Sequence, residues 1–196
     1  MKKYQTIDLT YSAFFICLMA IGSNITFWIP FLAIPIGGVS VPVSLQTFIS
    51  ILAGIILGKR LAAFSIFGYL LLGIAGVPVF AQMQSGIFVL FGYTGGFLLS
   101  FIVTAYLAGL IIEIKKPFTK RSIFLASLSG TLVNYLIGVT YMYIAMNTWM
   151  GLEVSYYASW VSMIPFLIKD LGLSLFITFA LYSVIQRLSL LQKKHI

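Results

Sequence analysis

Residues 166–183 read FLIKDLGLSLFITFALYS, a run in which Lys169 and Asp170 are the only charged side chains. Its length and hydropathy suit a helix crossing the roughly 30 Å of bilayer hydrocarbon, which takes about 20 apolar residues. An ionised group inside such a span costs about 2.5 to 3.5 kcal/mol even on lenient insertion scales. The pair therefore either sits at the membrane interface, Lys169 snorkelling to headgroups and Asp170 favoured by a helix N-terminal dipole, or it serves a ligand.

The rest of the chain is of the same kind. Of its 196 residues 61% are hydrophobic and 8% charged, against about 25% charged in ordinary soluble domains. Several apolar runs reach spanning length and the alternation of a membrane barrel strand is absent, so the class is an all-α integral membrane protein in the lipid bilayer. The run from Leu9 to beyond Trp28 is too long for a secretory signal and has no small-residue cleavage site, which makes it a retained first helix. The single cysteine, Cys17, excludes an intrachain disulfide framework and a Cys-based metal site. The single histidine, His195, belongs to a basic tail.

Six spans are expected, at about 8–28, 41–57, 61–77, 94–112, 122–146 and 164–186, forming one transmembrane domain over residues 1–196. Eleven of the twelve basic residues fall on one side of this arrangement: Lys2 and Lys3, Lys59 and Arg60, Lys115, Lys116, Lys120 and Arg121, then Arg187, Lys193 and Lys194. By the positive-inside rule that side is cytoplasmic, both termini are inside and the chain is a multi-pass protein of the cell membrane. The net charge of +8 thus reports topology and not a nucleic-acid surface. Lys169 is the exception. It follows Pro165, a residue suited to the first turn of a helix, and with Asp170 it is expected at the outer end of the sixth span.

The outer connections are not ordinary solvent loops. WIPFLAIPIGGVSVPVS (28–44) has the helix breakers Pro30, Pro35 and Pro42, a turn-permitting Gly37-Gly38 and no charge. VPVFAQMQSGIFVLFGYTGGF (77–97) is also uncharged, its polar groups being Gln82, Gln84, Ser85, Tyr93 and Thr94. Non-helical backbone of this kind is tolerated near lipid where it is buried in protein or lines a cavity, so residues 77–93 are expected to fold back as a lid. Thr94-Gly95-Gly96 opens the next helix, either as an anion-receptive end or as a glycine pair that lets helices approach closely. Gln46, with Ser44 and Thr47, lies level with Asp170, while Asn134 beside Tyr135 lies near mid-membrane as a ligand group or an interhelical tie. Tyr141, Tyr143, Trp149, Tyr156, Tyr157 and Trp160 gather at the outer side as an aromatic belt. These residues describe a small, capped, mostly apolar pocket for a compact ligand carrying an acid group.

Two long stretches carry a family resemblance: VPVSLQTFISILAGIILGKRLAAFSIFGYLLLGIAGVPVF (41–80) and GYTGGFLLSF (92–101). With Gly58-Lys59-Arg60 and Pro165-Phe166 leading to Asp170, the chain resembles the BioY family, the biotin-specific substrate-binding (S) components of energy-coupling factor (ECF) transporters. The resemblance implies six helices, capture of biotin from outside under lids formed by the first and third loops, and transport energised by a transmembrane coupling protein with two cytoplasmic ATPases. It also implies that Asp170 contacts the ligand. Where the family is often glycine-rich this chain has Gln82, Met83 and Gln84. On this reading Asp170 accepts from the ureido N–H groups, Gln46 or a tyrosine serves the ureido carbonyl, Lys169 or the Thr94-Gly95-Gly96 amides hold the carboxylate, and Phe80, Trp28 and nearby aliphatics bury the ring and tail.

Three function classes compete. No Gly-x-x-x-x-Gly-Lys-Ser/Thr stretch is present, so an S component draws its ATPase from partners. A self-contained secondary transporter or channel for a small organic acid calls for several polar groups through the membrane centre. An enzyme calls for a nucleophile and base, and one terminal His, no Gly-x-Ser-x-Gly and four scattered acids supply neither; no cofactor is expected. In the first span Ala13, Cys17 and Ala20 form a strip of small side chains that seats either a neighbouring helix of the bundle or, as the resemblance implies, the coupling protein.

Overall fold

The computed structural model describes residues 5–29, 34–36, 39–41, 43–115 and 118–193. Pro30, Pro42, the Gly37-Gly38 turn, and the basic residues Lys2, Lys3, Lys116, Lys194 and His195 lie outside them. In chain order the elements are α1 (Thr6–Ser23), α2 (Ile25–Trp28), β1 (Ile34–Ile36), β2 (Val39–Val41), α3 (Gln46–Leu57), α4 (Lys59–Ile74), a 3-10 turn (Ala81–Met83), α5 (Phe88–Phe91), α6 (Gly95–Ile114), α7 (Lys120–Thr148) and α8 (Tyr156–Lys193).

Side-chain caps open α1 and α7. At α1 the Gln5 N–H donates to Asp8 Oδ2 at 2.9 Å, and at α7 Thr119 and Ser122 cap one another through Ser122 N–H to Thr119 Oγ1 at 3.2 Å. Helix α6 occupies the centre, packed by α3, α4 and α7, while α8 packs mainly on α7 and α1 packs on α3 and α4. Gly54 and Gly109 allow the central contact: a Cβ on Gly54 would overlap the Ala105 carbonyl, and one on Gly109 would overlap the backbone of Lys59. Small residues that let backbones meet are the usual way membrane helices gain van der Waals contact, because lipid supplies no hydrophobic drive between them. Gly58, at φ 79°, makes the one-residue turn from α3 into α4.

Large apolar side chains such as Phe14, Ile21, Phe67, Leu136 and Phe176 are exposed on the outside of the bundle, as a lipid-facing surface requires. Among the described residues four helices are long and apolar enough to cross a membrane: Thr6–Ser23, Gly95–Ile114, Lys120–Thr148 and Tyr156–Ser183. Helices α3 and α4 have 12 and 16 residues, about 18 and 24 Å at 1.5 Å per residue, short of the full hydrocarbon thickness.

Two expected boundaries are corrected. The second span does not start at residue 41: Val39–Val41 pairs antiparallel with Ile34–Ile36, and the helix starts at Gln46. An apolar run such as Val41–Leu45 reads equally well as strand or helix, and the three-residue strand takes its first residue. Nor does Pro165 open the last helix. Helix α8 starts at Tyr156, behind Ser155, whose Oγ accepts the Ala158 N–H at 3.1 Å, and Pro165 lies in its interior. Proline is tolerated there because neighbouring helices and side chains can re-satisfy the freed carbonyl of a membrane helix. Lys169 and Asp170 thus stand about four turns into α8, beyond reach of its N-terminal dipole.

Candidate functional site

A cavity of about 160 Å³ opens among α3, α6, α7, α8 and the capping segment 77–93. A single water needs roughly 10 to 15 Å³ on the same measure, so the space suits a small organic molecule. Its wall is mainly apolar, with Phe80, Phe97, Phe101, Met142, Met163 and Phe166, and its polar groups are few.

The charged pair is the centre of those groups. Asp170 is 4% exposed; its Oδ2 accepts the Tyr135 hydroxyl at 2.8 Å. Lys169 Nζ stands 2.7 Å from Asp170 Oδ1 as an ion-pair partner, yet Oδ1 is buried and receives no aligned hydrogen bond. An ionised carboxylate accepts several hydrogen bonds, so this oxygen keeps capacity for a donor from a ligand. Lys169 Nζ also donates to the Ser44 carbonyl at 2.5 Å. Its ammonium has three donors, and the bond to Ser44 uses one of them.

A hydrogen-bonded path leads away from the pair toward the lid. Ser44 Oγ donates to Gln46 Oε1 at 2.9 Å, Gln46 Nε2 donates to the Tyr69 hydroxyl at 2.9 Å, and Tyr69 donates to the Val79 carbonyl at 2.9 Å. Phe80, the next residue, packs edge-on against Tyr69 with centroids 5.7 Å apart. On the opposite wall Asn134 Nδ2 donates to Thr47 Oγ1 at 3.2 Å and its Oδ1 accepts from Ser100 at 2.5 Å, so the amide that faces the cavity is also an interhelical tie among α3, α6 and α7.

Of the ten expected ligand residues, Asp170, Lys169, Gln46, Tyr93, Thr94, Gln84, Phe80 and Asn134 line the cavity. Trp28 and Gly95 are not among the lining residues. Trp28 is 65% exposed because α1 ends at Ser23 and the chain turns at Asn24 into the short α2. The Gly95 N–H donates to the Gly92 carbonyl at 3.0 Å, and a Cβ there would overlap the Leu90 backbone, while one on Gly96 would overlap the Tyr141 ring. The glycine pair serves close approach. Tyr135 lines the cavity and Tyr69 stands behind Gln46, and neither is among the ten expected residues. Tyr135 shares a helix face with Val139 and Met142 at spacings of four and seven, a signal readable from the sequence; Tyr69, a lone tyrosine in an apolar run, carries no such signal.

Residues 77–93 fold over the cavity as expected of a lid, and side chains hold them at both ends. Near the end, the Tyr141 hydroxyl donates to the Leu90 carbonyl at 2.7 Å and Trp149 Nε1 to the Phe91 carbonyl at 2.6 Å, so these two members of the expected aromatic belt also anchor α5. In the first helix Ser12, Phe15 and Met19 face the bundle, whereas Ala13 and Cys17 are exposed and Ala20 is half-buried.

The architecture matches the crystal structure of the S-component for biotin from an ECF-type ABC transporter with a TM-score of 0.77 at 22% identity, covering 95% of each chain. Among curated proteins, the chain is 38% identical over 198 residues to the putative biotin transporter BioYB of Bacillus subtilis, covering all of this chain and 97% of that one. It is also 38% identical over 133 residues to the biotin transporter BioY of Thermotoga maritima, covering 67% of this chain and 72% of its relative. These relatives are transporters by name and not enzymes. The BioY family model matches residues 1–190, and with that match running through every element that builds the cavity the chain belongs to the BioY family.

Proposed function

We propose that the chain is the biotin-binding S component of an ECF-type vitamin uptake system, capturing biotin from outside and delivering it with a coupling protein and two ATPases. The observation that carries the reading is Asp170 Oδ1, a buried carboxylate oxygen with no aligned hydrogen bond in an apolar cavity of ligand size. A cyclic urea offers the N–H groups it lacks, and the apolar wall suits a thiophane ring and aliphatic tail. The ammonium of Lys169 and the amide of Gln84 are available to ligand oxygens. The names of the relatives support biotin in particular.

In this reading α3 and α4 complete a six-span bundle with both termini cytoplasmic, which the positions of the basic residues support. The exposed strip of Ala13 and Cys17 is the docking face for the coupling protein. The test is to purify the chain from cells and identify the co-purifying small molecule by mass spectrometry. Biotin is expected at close to one per chain, and a reproducible different ligand would refute the reading.

A further inference from the structure

The first half of the capping segment is tied to the bundle at the break between α1 and α2. Phe80 to Gln84 close a tight turn through the Phe80 N–H and the Gln84 carbonyl at 3.0 Å, and inside it Gln82 and Met83 stand at φ 59° and 57°. Side chains other than glycine hold this left-handed conformation only where the surroundings fix it. Asn24 supplies the fixing: its Oδ1 accepts the Met83 N–H at 2.8 Å, while its Nδ2 donates to Ser23 Oγ at 2.9 Å and to the Ala20 carbonyl at 3.1 Å. Ser23 Oγ in turn donates to the Val79 carbonyl at 2.6 Å. Both side chains are buried, and the residues flanking the strained pair, Phe80 and Gln84, line the cavity.

From this geometry we infer that Asn24, seconded by Ser23, is a positioning residue that latches the strained turn over the cavity and so sets how long a bound ligand stays. The inference rests on the capping segment closing over the ligand of the proposed function. Removing Oδ1 leaves the Met83 N–H without its acceptor and frees the turn to relax to ordinary φ, which draws Phe80 and Gln84 off the ligand. Asn24 is not itself a lining residue, so its effect falls on dissociation and not on encounter. Tyr69 also donates to Val79, so loss of Ser23 alone weakens the latch less than loss of Asn24.

The test has two readouts on the full chain in lipid nanodiscs. In the first, release of radiolabelled biotin is followed after an excess of unlabelled biotin. Asn24→Ala is expected to release about tenfold faster and Ser23→Ala about threefold faster, the scale of one hydrogen bond left unmade. Association is expected to stay within about twofold of the parent, because the pocket groups are untouched. In the second, a Gln84→Cys reporter in a Cys17→Ala background is labelled without ligand, and Asn24→Ala is expected to raise its labelling rate. If Asn24→Ala does not fold, Ser23→Ala carries both readouts. Unchanged release together with unchanged labelling in Asn24→Ala overturns the latch. Failure of the parent protein to retain biotin overturns the biotin reading alone, and the labelling rates still decide the latch.

Discussion

Asp170 is the only one of the chain's four acids that is buried, and its two oxygens are in different states. Oδ2 is held by Tyr135 at 2.8 Å, while Oδ1 faces Lys169 without an aligned hydrogen bond. An ion pair of this kind, short of one donor, is stable only because the lysine lies beside it and because Tyr135 and the Ser44 carbonyl share the load. Asp170→Asn is therefore expected to weaken biotin binding by roughly 2 to 5 kcal/mol in calorimetry, since a charge-assisted bond is lost and Lys169 is left without its counter-charge. Tyr135→Phe keeps the ring against Phe97 and removes one donor, so a loss of about 1 kcal/mol is expected. Near-parental binding by Asp170→Asn would return the pair to a role in holding α8 against the segment at Ser44.

At the scale of elements, the meeting of α3, α4 and α6 is the rigid part, because Gly54 and Gly109 bring backbone onto backbone where no side chain can yield. Gly54→Val is expected to lower stability by about 1 to 3 kcal/mol, read as thermal unfolding in detergent, while the fraction that folds keeps its biotin affinity because Gly54 lies outside the cavity. Helices α6 and α7 were legible to within two residues, since Thr94-Gly95 marks the start of the first and the basic stretch from Lys115 to Arg121 separates the two. The start of α8 was not, because Pro165 carries the stronger local signal while Ser155, ten residues earlier, does the capping. Gln46, Asn134 and Asp170 were legible as polar groups in apolar runs. Tyr69 was not, because a tyrosine serves core, belt or site equally well and only tertiary contact with Gln46 and Val79 decides among them. Trp28 was misplaced for a related reason: the turn at Asn24 is fixed by its bonds to Ala20, Ser23 and Met83, the last of them 59 residues away.

For the whole molecule, α1 supplies no residue to the cavity wall, so the cavity and the exposed strip of α1 are separate, and this separation allows binding and coupling to be tested apart. Membrane sidedness comes first: in a Cys17-free background, single cysteines at positions 84 and 119 are expected to react and not react, respectively, with an impermeant thiol reagent on intact cells. Reaction at 119 would reverse the topology. The docking face is the second test. Ser12, Phe15, Met19 and Gly22 turn toward the bundle, and Gly22 is so close to Ile49 that a Cβ there would overlap it, so this face of α1 has no room for larger groups. Ala13 and Cys17 face outward, where an enlarged side chain meets lipid in the isolated protein. A tryptophan is tolerated in lipid but not against a closely packed partner helix, whose approach depends on small residues. Ala13→Trp and Cys17→Trp are therefore expected to leave biotin binding by the purified chain within about twofold of the parent and to abolish co-purification with the coupling protein and ATP-dependent uptake. Loss of binding in these variants would place the strip in the internal packing despite its exposure, and unimpaired uptake would move the docking face to another helix.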